Sequence, residues 1–157
     1  MPTDIARIPP TEAPDLSPGR RLALEHLYGG FGTDDVDLVD LALTADWQDI
    51  PSMPGQAAGP AGIKPIFRLF RQAFPDLTVE IVEVLTGPDR AAVRLMATGT
   101  HLGPLFGVPA SGRRVSLAIH EFHRFEGERI AVTHHMEDLF GLFRQIGAWP
   151  AMEGAAA

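Results

Sequence analysis

The chain has 157 residues, of which 45% are hydrophobic and 21% are charged, and its formal net charge is −7. This length predicts one domain that buries a core large enough to fold without cross-links. The absence of cysteine excludes disulfides, thiolate nucleophiles and cysteine-ligated metal sites. The acidic balance argues against a nucleic-acid partner, and the lack of a long apolar run or a signal-like N-terminus argues against a membrane partner. We therefore expect a soluble, cytoplasmic protein.

The two ends of the chain differ in composition from its middle. Prolines recur through residues 1–16, which are predicted to form a disordered or extended arm. Residues 150–157 have no apolar pattern and are predicted to be a frayed tail. A single domain is expected over residues 17–149.

Helices are predicted in the first half of this domain. The first begins at Ser17-Pro18 and stops at Gly29-Gly30, and a second, shorter helix covers residues 33–43. Residues 45–51 are predicted to be a short strand or extended passage, followed by a loop. The helix at residues 60–74 has the strongest pattern, because its apolar residues recur at helical spacing: Ile63, Ile66, Phe67, Phe70 and Phe74.

Strands are predicted in the second half. They cover residues 77–85, 90–101, 114–125 and 129–138, with hairpin turns between them, and a final helix covers residues 139–147. Helices followed by antiparallel strands indicate the α+β class. We predict a cone-shaped α+β barrel, in which a curved antiparallel sheet wraps around the N-terminal helices and encloses an apolar pocket.

Acids and histidines are concentrated in the last two strands. Alternation places Glu121 and His123 on one face of the third strand, and His135 and Glu137 together on one face of the fourth, opposite His134. A carboxylate and an imidazole buried side by side on the concave face would form a general acid–base pair. The alternative is that these groups lie on a solvent-facing or dimer face, and the pattern leaves open which face lines the pocket.

Metal binding is the competing chemistry for these strands, since two histidines and a carboxylate can hold an ion. His134 and His135 are adjacent in a strand and point to opposite faces, so they do not readily share one ion. We expect no metal and no other cofactor. The short strand contributes Trp47 and Asp49 as candidates for the pocket rim.

Three segments resemble a known family: GPAGIKPIFRLFRQAFPDLTVEIVEVL, VRLMATGTHLGPLFGVPASGRRV, and FHRFEGERI followed by HHMEDLFGLFRQIGA. Their ordered motifs resemble the SnoaL-like polyketide cyclases, also called predicted ester cyclases, over about residues 20–149. The resemblance implies the cone fold of nuclear transport factor 2 (cystatin-like) and a pocket for a polyketide-like or other hydrophobic carbonyl compound. It also implies cofactor-independent acid–base chemistry, in which a proton is removed next to a carbonyl and an intramolecular aldol step closes a ring. A homodimer is expected, because related folds commonly pair through the outer face of the sheet.

The resemblance also suggests site residues. The family's cyclases carry a key histidine on the penultimate strand and a key aspartate on the last one. Those places are held here by Glu121 and His135, so acid and imidazole are exchanged. We expect both to be catalytic, and Asp138 either to assist protonation or to cap the last helix. Substrate contacts are expected from Trp47, Asp49, Phe67, Phe70, His101, His123 and His134.

Two other functions remain open at this point. A hydratase or hydrolase would use the same residues to activate water. A non-catalytic module would use the same pocket only to hold a hydrophobic molecule or a partner protein, and family membership does not by itself supply a reaction.

Overall fold

The structure is a computed structural model that describes residues 6–9 and 13–149. The predicted frayed tail at residues 150–157 lies outside these residues. The elements follow the predicted order of helices first and strands after, and the α+β class is confirmed. Within the described residues they are α1 (Pro18–Gly32), a 3₁₀ turn (Val36–Leu38), α2 (Val39–Ala42), β1 (Leu43–Ile50), α3 (Pro60–Ala73), β2 (Thr78–Thr86), β3 (Arg90–Thr100), β4 (Arg114–Glu126), β5 (Arg129–Glu137) and α4 (Leu139–Gln145).

The described parts of the predicted arm are anchored on α1. The side chain of Ile8 is buried, and its backbone N–H donates to Glu25 Oε1 at 3.0 Å. The Arg21 guanidinium donates to the carbonyl oxygens of Ile8 at 3.0 Å and Ala13 at 2.9 Å. Leu16 is also buried. These backbone groups therefore find hydrogen-bond partners in side chains of α1.

The curved sheet has the strand order β1-β5-β4-β3-β2 and does not close on itself. The pairs β2–β3, β3–β4 and β4–β5 are antiparallel, as the hairpin turns predict. The edge strand β1 instead runs parallel to β5. This pairing joins segments far apart in the sequence, so no turn signal indicates it.

The core lies between the concave face of the sheet and the helices α1 and α3. Ala23, Leu24, Leu27 and Phe31 supply the buried face of α1, and Ile63, Phe67 and Phe70 that of α3. Burial of these apolar faces is the main force that holds the helices to the sheet. None of the described helices is long and apolar enough to cross a membrane.

Candidate active site

A cavity of about 300 Å³ lies between the helices and the concave face of the sheet. Its walls are apolar over most of their extent: they include Leu27, Phe31, Ile63, Phe67, Phe70, Leu95, Leu117 and Ile119. Polar side chains also line it, namely Tyr28, Asp49, Ser52, Glu121, Thr133, His135 and Glu137. No lysine or arginine is among the described residues that line the cavity. An apolar pocket with a few convergent polar groups is the usual form of a small-molecule site.

Glu121 and His135 lie on the cavity side of the sheet. They are direct partners in the antiparallel β4–β5 ladder, and both line the cavity. The alternate residues His120 and His134 are exposed on the outer face. The structure therefore places the two predicted catalytic residues side by side in one pocket.

His135 is held between two carboxylates. Its Nδ1 is 2.6 Å from Glu137 Oε1, and its Nε2 is 3.2 Å from Asp49 Oδ1 and 2.9 Å from the Pro51 carbonyl oxygen. Burial by itself lowers the pKa of His135, but the hydrogen bond to Glu137 and the charges of Asp49 and Glu137 outweigh it and raise this pKa to about 9. His135 is consequently an imidazolium at neutral pH.

Asp49 is the most enclosed acid of this group. It reaches the cavity from β1 because β1 pairs with β5, and its side chain is only 7% exposed. Burial raises the pKa of Asp49, although the hydrogen bond from Gln56 to Oδ2, at 2.8 Å, and the charge of His135 oppose this shift. Among the described residues, no group of three or more histidine, aspartate or glutamate side chains is placed to hold a metal ion.

Glu121 belongs to a second hydrogen-bond network. Its Oε2 accepts from the Tyr28 hydroxyl at 2.9 Å and lies 3.2 Å from His123 Nε2. Its Oε1 receives no hydrogen bond from the described residues, and the side chain faces the cavity. Burial and the neighbouring Glu121 charge raise the pKa of Tyr28 well above its usual value, so the phenol stays a proton donor.

The buried His123 connects this network to the sheet. Its Nδ1 is 3.0 Å from Thr133 Oγ1, which also accepts from Trp47 Nε1–H at 3.0 Å. The indole can only donate. One arrangement of protons satisfies every group in this network. Trp47 donates to Thr133, and Thr133 donates to His123 Nδ1. His123 Nε2–H then donates toward Tyr28 and Glu121.

Four of the seven predicted substrate-contact residues line the cavity: Trp47, Asp49, Phe67 and Phe70. The other three do not. His123 is buried next to Glu121, and His134 is exposed on the outer face. His101 is fully buried beside Phe74, with ring centroids 5.4 Å apart, and its Nδ1 accepts from the Ser111 N–H. Burial lowers the pKa of His101, in keeping with a neutral packing role.

Asp138 lies outside the cavity lining. Its Oδ1 accepts from the backbone N–H of Gly141 at 2.8 Å and caps α4, so of its two predicted roles the structure shows the cap. The sequence analysis did not predict Tyr28 or Thr133 as site residues, nor Glu137 as the hydrogen-bond partner of His135. For Glu137 a signal existed, because it follows His135 by two residues and so shares its face.

Several solved structures share this fold. TsrD from Streptomyces laurentii superposes with a TM-score of 0.77 at 27% identity, over 83% of this chain and 96% of that one. A candidate polyketide cyclase from Bacillus cereus ATCC 10987 gives 0.74 at 23% identity, over 96% and 95% of the two chains. AclR from Streptomyces galilaeus, described as a candidate hydroxylase, gives 0.72 at 23% identity, over 86% and 89%. The last two likenesses concern the fold alone.

None of the curated proteins compared with this chain matches it. The family model of the SnoaL-like polyketide cyclases matches residues 21–146, which is most of the domain predicted from the sequence. The motif resemblance is thereby confirmed, and the chain belongs to the SnoaL-like polyketide cyclase family.

Proposed function

We propose that the protein is a cofactor-independent cyclase or isomerase that uses acid–base chemistry on a small, hydrophobic, polyketide-like carbonyl compound. The observation that carries this proposal is the placement of Glu121 beside His135 in one apolar cavity. A carboxylate and an imidazolium at adjacent positions supply a base and an acid to the same substrate.

Glu121 acts as the base. Its Oε2 is held by Tyr28 and His123, which leaves Oε1 directed at the cavity without a protein partner among the described residues. In the proposed first step, Oε1 takes a proton from the carbon next to the substrate carbonyl. Tyr28 and His123 fix the carboxylate in position, because both also hold each other at 2.8 Å.

His135 acts as the acid. With a pKa of about 9 it carries a positive charge at neutral pH, next to the place where the enolate oxygen becomes negative. A fixed charge that faces developing charge in a water-poor site stabilises the transition state. The carbonyl oxygen of the substrate would take the place of Pro51 or Asp49 as the acceptor of the Nε2–H.

Ring closure follows, and its product is an isomer of the substrate. The enolate carbon forms a bond to a second carbonyl carbon of the same molecule, and the resulting alkoxide takes a proton from His135. After the product leaves, Glu121 releases its proton to solvent and His135 takes up a proton from solvent, which restores both groups. No electron or group is transferred to or from the substrate, so this sequence of steps needs no cofactor.

The test begins with the molecule that the protein binds. Carbonyl compounds that copurify with the protein are identified by mass spectrometry, and exchange of their α-hydrogens in deuterium oxide is followed by NMR. We expect Glu121→Gln to abolish exchange and His135→Asn to slow it by about 10²-fold or more. The matched control is Glu83→Gln, a half-exposed carboxylate on β2. Exchange that persists unchanged in both site variants contradicts the acid–base mechanism and favours simple binding.

We also propose a homodimer that forms through the outer face of the sheet. One row of partners across this face carries Leu85, Ala92, Phe122, His134 and Ile50. Leu85 and Phe122 are more than 60% exposed. An exposed apolar row of this kind favours association with a second copy of the same face.

A further inference from the structure

The loop between β3 and β4 contains a tight turn at Phe106 and Gly107. Leu105 and Val108 are joined by two backbone hydrogen bonds, at 2.9 Å and 2.8 Å. The two central residues have positive φ angles, +46° for Phe106 and +81° for Gly107. Positive φ at both positions is the signature of a type I′ turn.

Phenylalanine is an unfavourable residue for this position. Type I′ turns favour Asn-Gly, because asparagine and glycine tolerate the left-handed region, whereas a bulky side chain there is a steric outlier. Such strained residues persist where the surrounding structure holds them, and they concentrate at functional sites. Gly107 matches the Asn-Gly preference of the turn and Phe106 does not. The turn therefore does not explain why phenylalanine occupies position 106.

The Phe106 ring stands at the rim of the cavity. It lines the cavity and yet is 42% exposed, so it borders both the ligand space and the solvent. Its centroid lies 6.1 Å from that of Phe70, edge to face, and 6.4 Å from that of Phe143 on α4. The neighbouring Leu105 is fully buried and anchors the turn.

The base of the loop holds the turn in place. The His101 N–H donates to the Arg113 carbonyl at 2.9 Å, and the Gly112 N–H donates to the His101 carbonyl at 2.8 Å. On the other side, the N–H groups of Leu102 and Gly103 donate to the carbonyl of Ala73, at the end of α3. Phe106 is therefore a positioned wall of the cavity.

We propose that Phe106 is a specificity-determining residue, whose ring packs against the ring system of the substrate and limits its length. The inference deepens the proposed function, since it takes the cavity to be the substrate site. The ligand class is an uncharged aromatic or alicyclic ketone, because the walls beside Phe106 are apolar and no lysine or arginine is among the described residues that line the cavity.

Binding of two ketones of different length tests this proposal. The probes are 2-acetylnaphthalene and the longer 2-acetylanthracene. Their binding is measured by quenching of the fluorescence of Trp47, which lies in the cavity wall. All variants carry Trp149→Phe, which removes the exposed second tryptophan. The variant is Phe106→Asn, which suits the turn and removes the ring. The control is Leu102→Asn, an exposed residue of the same loop that does not line the cavity.

We expect Phe106→Asn to bind the naphthyl ketone about tenfold more weakly and to lose the preference for it over the anthracenyl ketone. The denaturation midpoint should stay at or above that of the parent, because asparagine relieves the turn. Naphthyl binding within twofold of the parent overturns the proposal, and so does an unchanged preference between the two ketones. A midpoint that falls together with binding also overturns it, since the ring would then only support the loop.

This readout is independent of the acid–base chemistry. The mechanism is tested by the loss of hydrogen exchange in Glu121→Gln, whereas the Phe106 proposal is tested by the affinities of the two ketones in Phe106→Asn. Failure of the mechanism therefore leaves the effect of Phe106 on binding intact, and failure of the Phe106 proposal leaves the exchange result intact.

Discussion

Glu121 and His135 face each other across the β4–β5 ladder without a hydrogen bond between them. Each is held by its own partners, Glu121 by Tyr28 and His123, and His135 by Glu137 and the residues of β1. A direct ion pair between the two would have to break before either could contact a substrate. Separate networks leave both groups available to a substrate at the same cavity wall.

The raised pKa of His135 depends mainly on Glu137, which makes the shortest contact in the site. We expect Glu137→Gln to lower the pKa of His135 from about 9 to a value much closer to that of an ordinary imidazole. An NMR titration of the ring resonances measures this pKa directly. Glu83→Gln is the control, since its carboxylate pairs with Arg94 on the sheet far from the site. A His135 pKa that remains near 9 in Glu137→Gln would show that Asp49 and the Pro51 carbonyl are sufficient to raise it.

The same pKa makes folding stability depend on pH. The pKa of His135 is raised in the folded state above its unfolded value of 6.5, so the stabilisation is fully present below about pH 6.5 and is lost as the pH rises through about 9. The urea concentration at the unfolding midpoint of the parent should therefore decrease as the pH is raised from 6.5 to 9.5. His135→Asn should flatten this slope, and an equally steep slope in that variant would assign the effect to other groups.

Alternation predicts that Glu121 shares a face with His123 and that His135 shares one with Glu137, because this depends on local pattern alone. The pairing of Glu121 with His135 comes from the family resemblance, and the sequence leaves open which face lines the pocket. It does not predict that Asp49 joins His135, since this contact requires β1 to pair in parallel with a strand more than 80 residues away. Tyr28 was also missed: within an amphipathic helix, a tyrosine whose hydroxyl meets a carboxylate has the same pattern as one that only packs. The positive φ of Phe106 could not be predicted from the sequence, because type I′ turns favour asparagine at this position.

Among the described residues, Thr133 Oγ1 is the hydrogen-bond partner that Trp47 Nε1–H and His123 Nδ1 share. Thr133→Val keeps the shape of the side chain but leaves Trp47 Nε1–H and His123 Nδ1 unpaired. Each of the two unsatisfied groups costs about 1–3 kcal/mol, so we expect a loss of about 2–6 kcal/mol in the free energy of unfolding. Urea denaturation with an unchanged m-value measures it. Thr98→Val, at the exposed Thr78–Thr98 pair, should cost less than about 0.5 kcal/mol.

Asp138 is the N-cap of α4, and two substitutions distinguish this role from catalysis. Asp138→Ala should destabilise the protein by about 1 kcal/mol, whereas Asp138→Asn should restore the stability, because asparagine caps helices as well as aspartate does. Thermal or urea denaturation gives the stability, and hydrogen exchange of the bound ketone gives the activity. Full activity in both variants fits the cap, while an inactive but stable Asp138→Asn would return the carboxylate to the mechanism.

Phe122 is the centre of the exposed row on the outer face of the sheet, so it offers the sharpest test of the homodimer. We expect the parent to have the mass of a dimer in size-exclusion chromatography with light scattering. Phe122→Glu should shift it to a monomer, because a carboxylate at the middle of an apolar contact is costly to bury. Phe140→Glu, at an exposed phenylalanine of α4 away from this row, is the matched control and should remain dimeric. The sheet surface is not the interface if the parent is a monomer at all concentrations, or if Phe140→Glu dissociates it and Phe122→Glu does not.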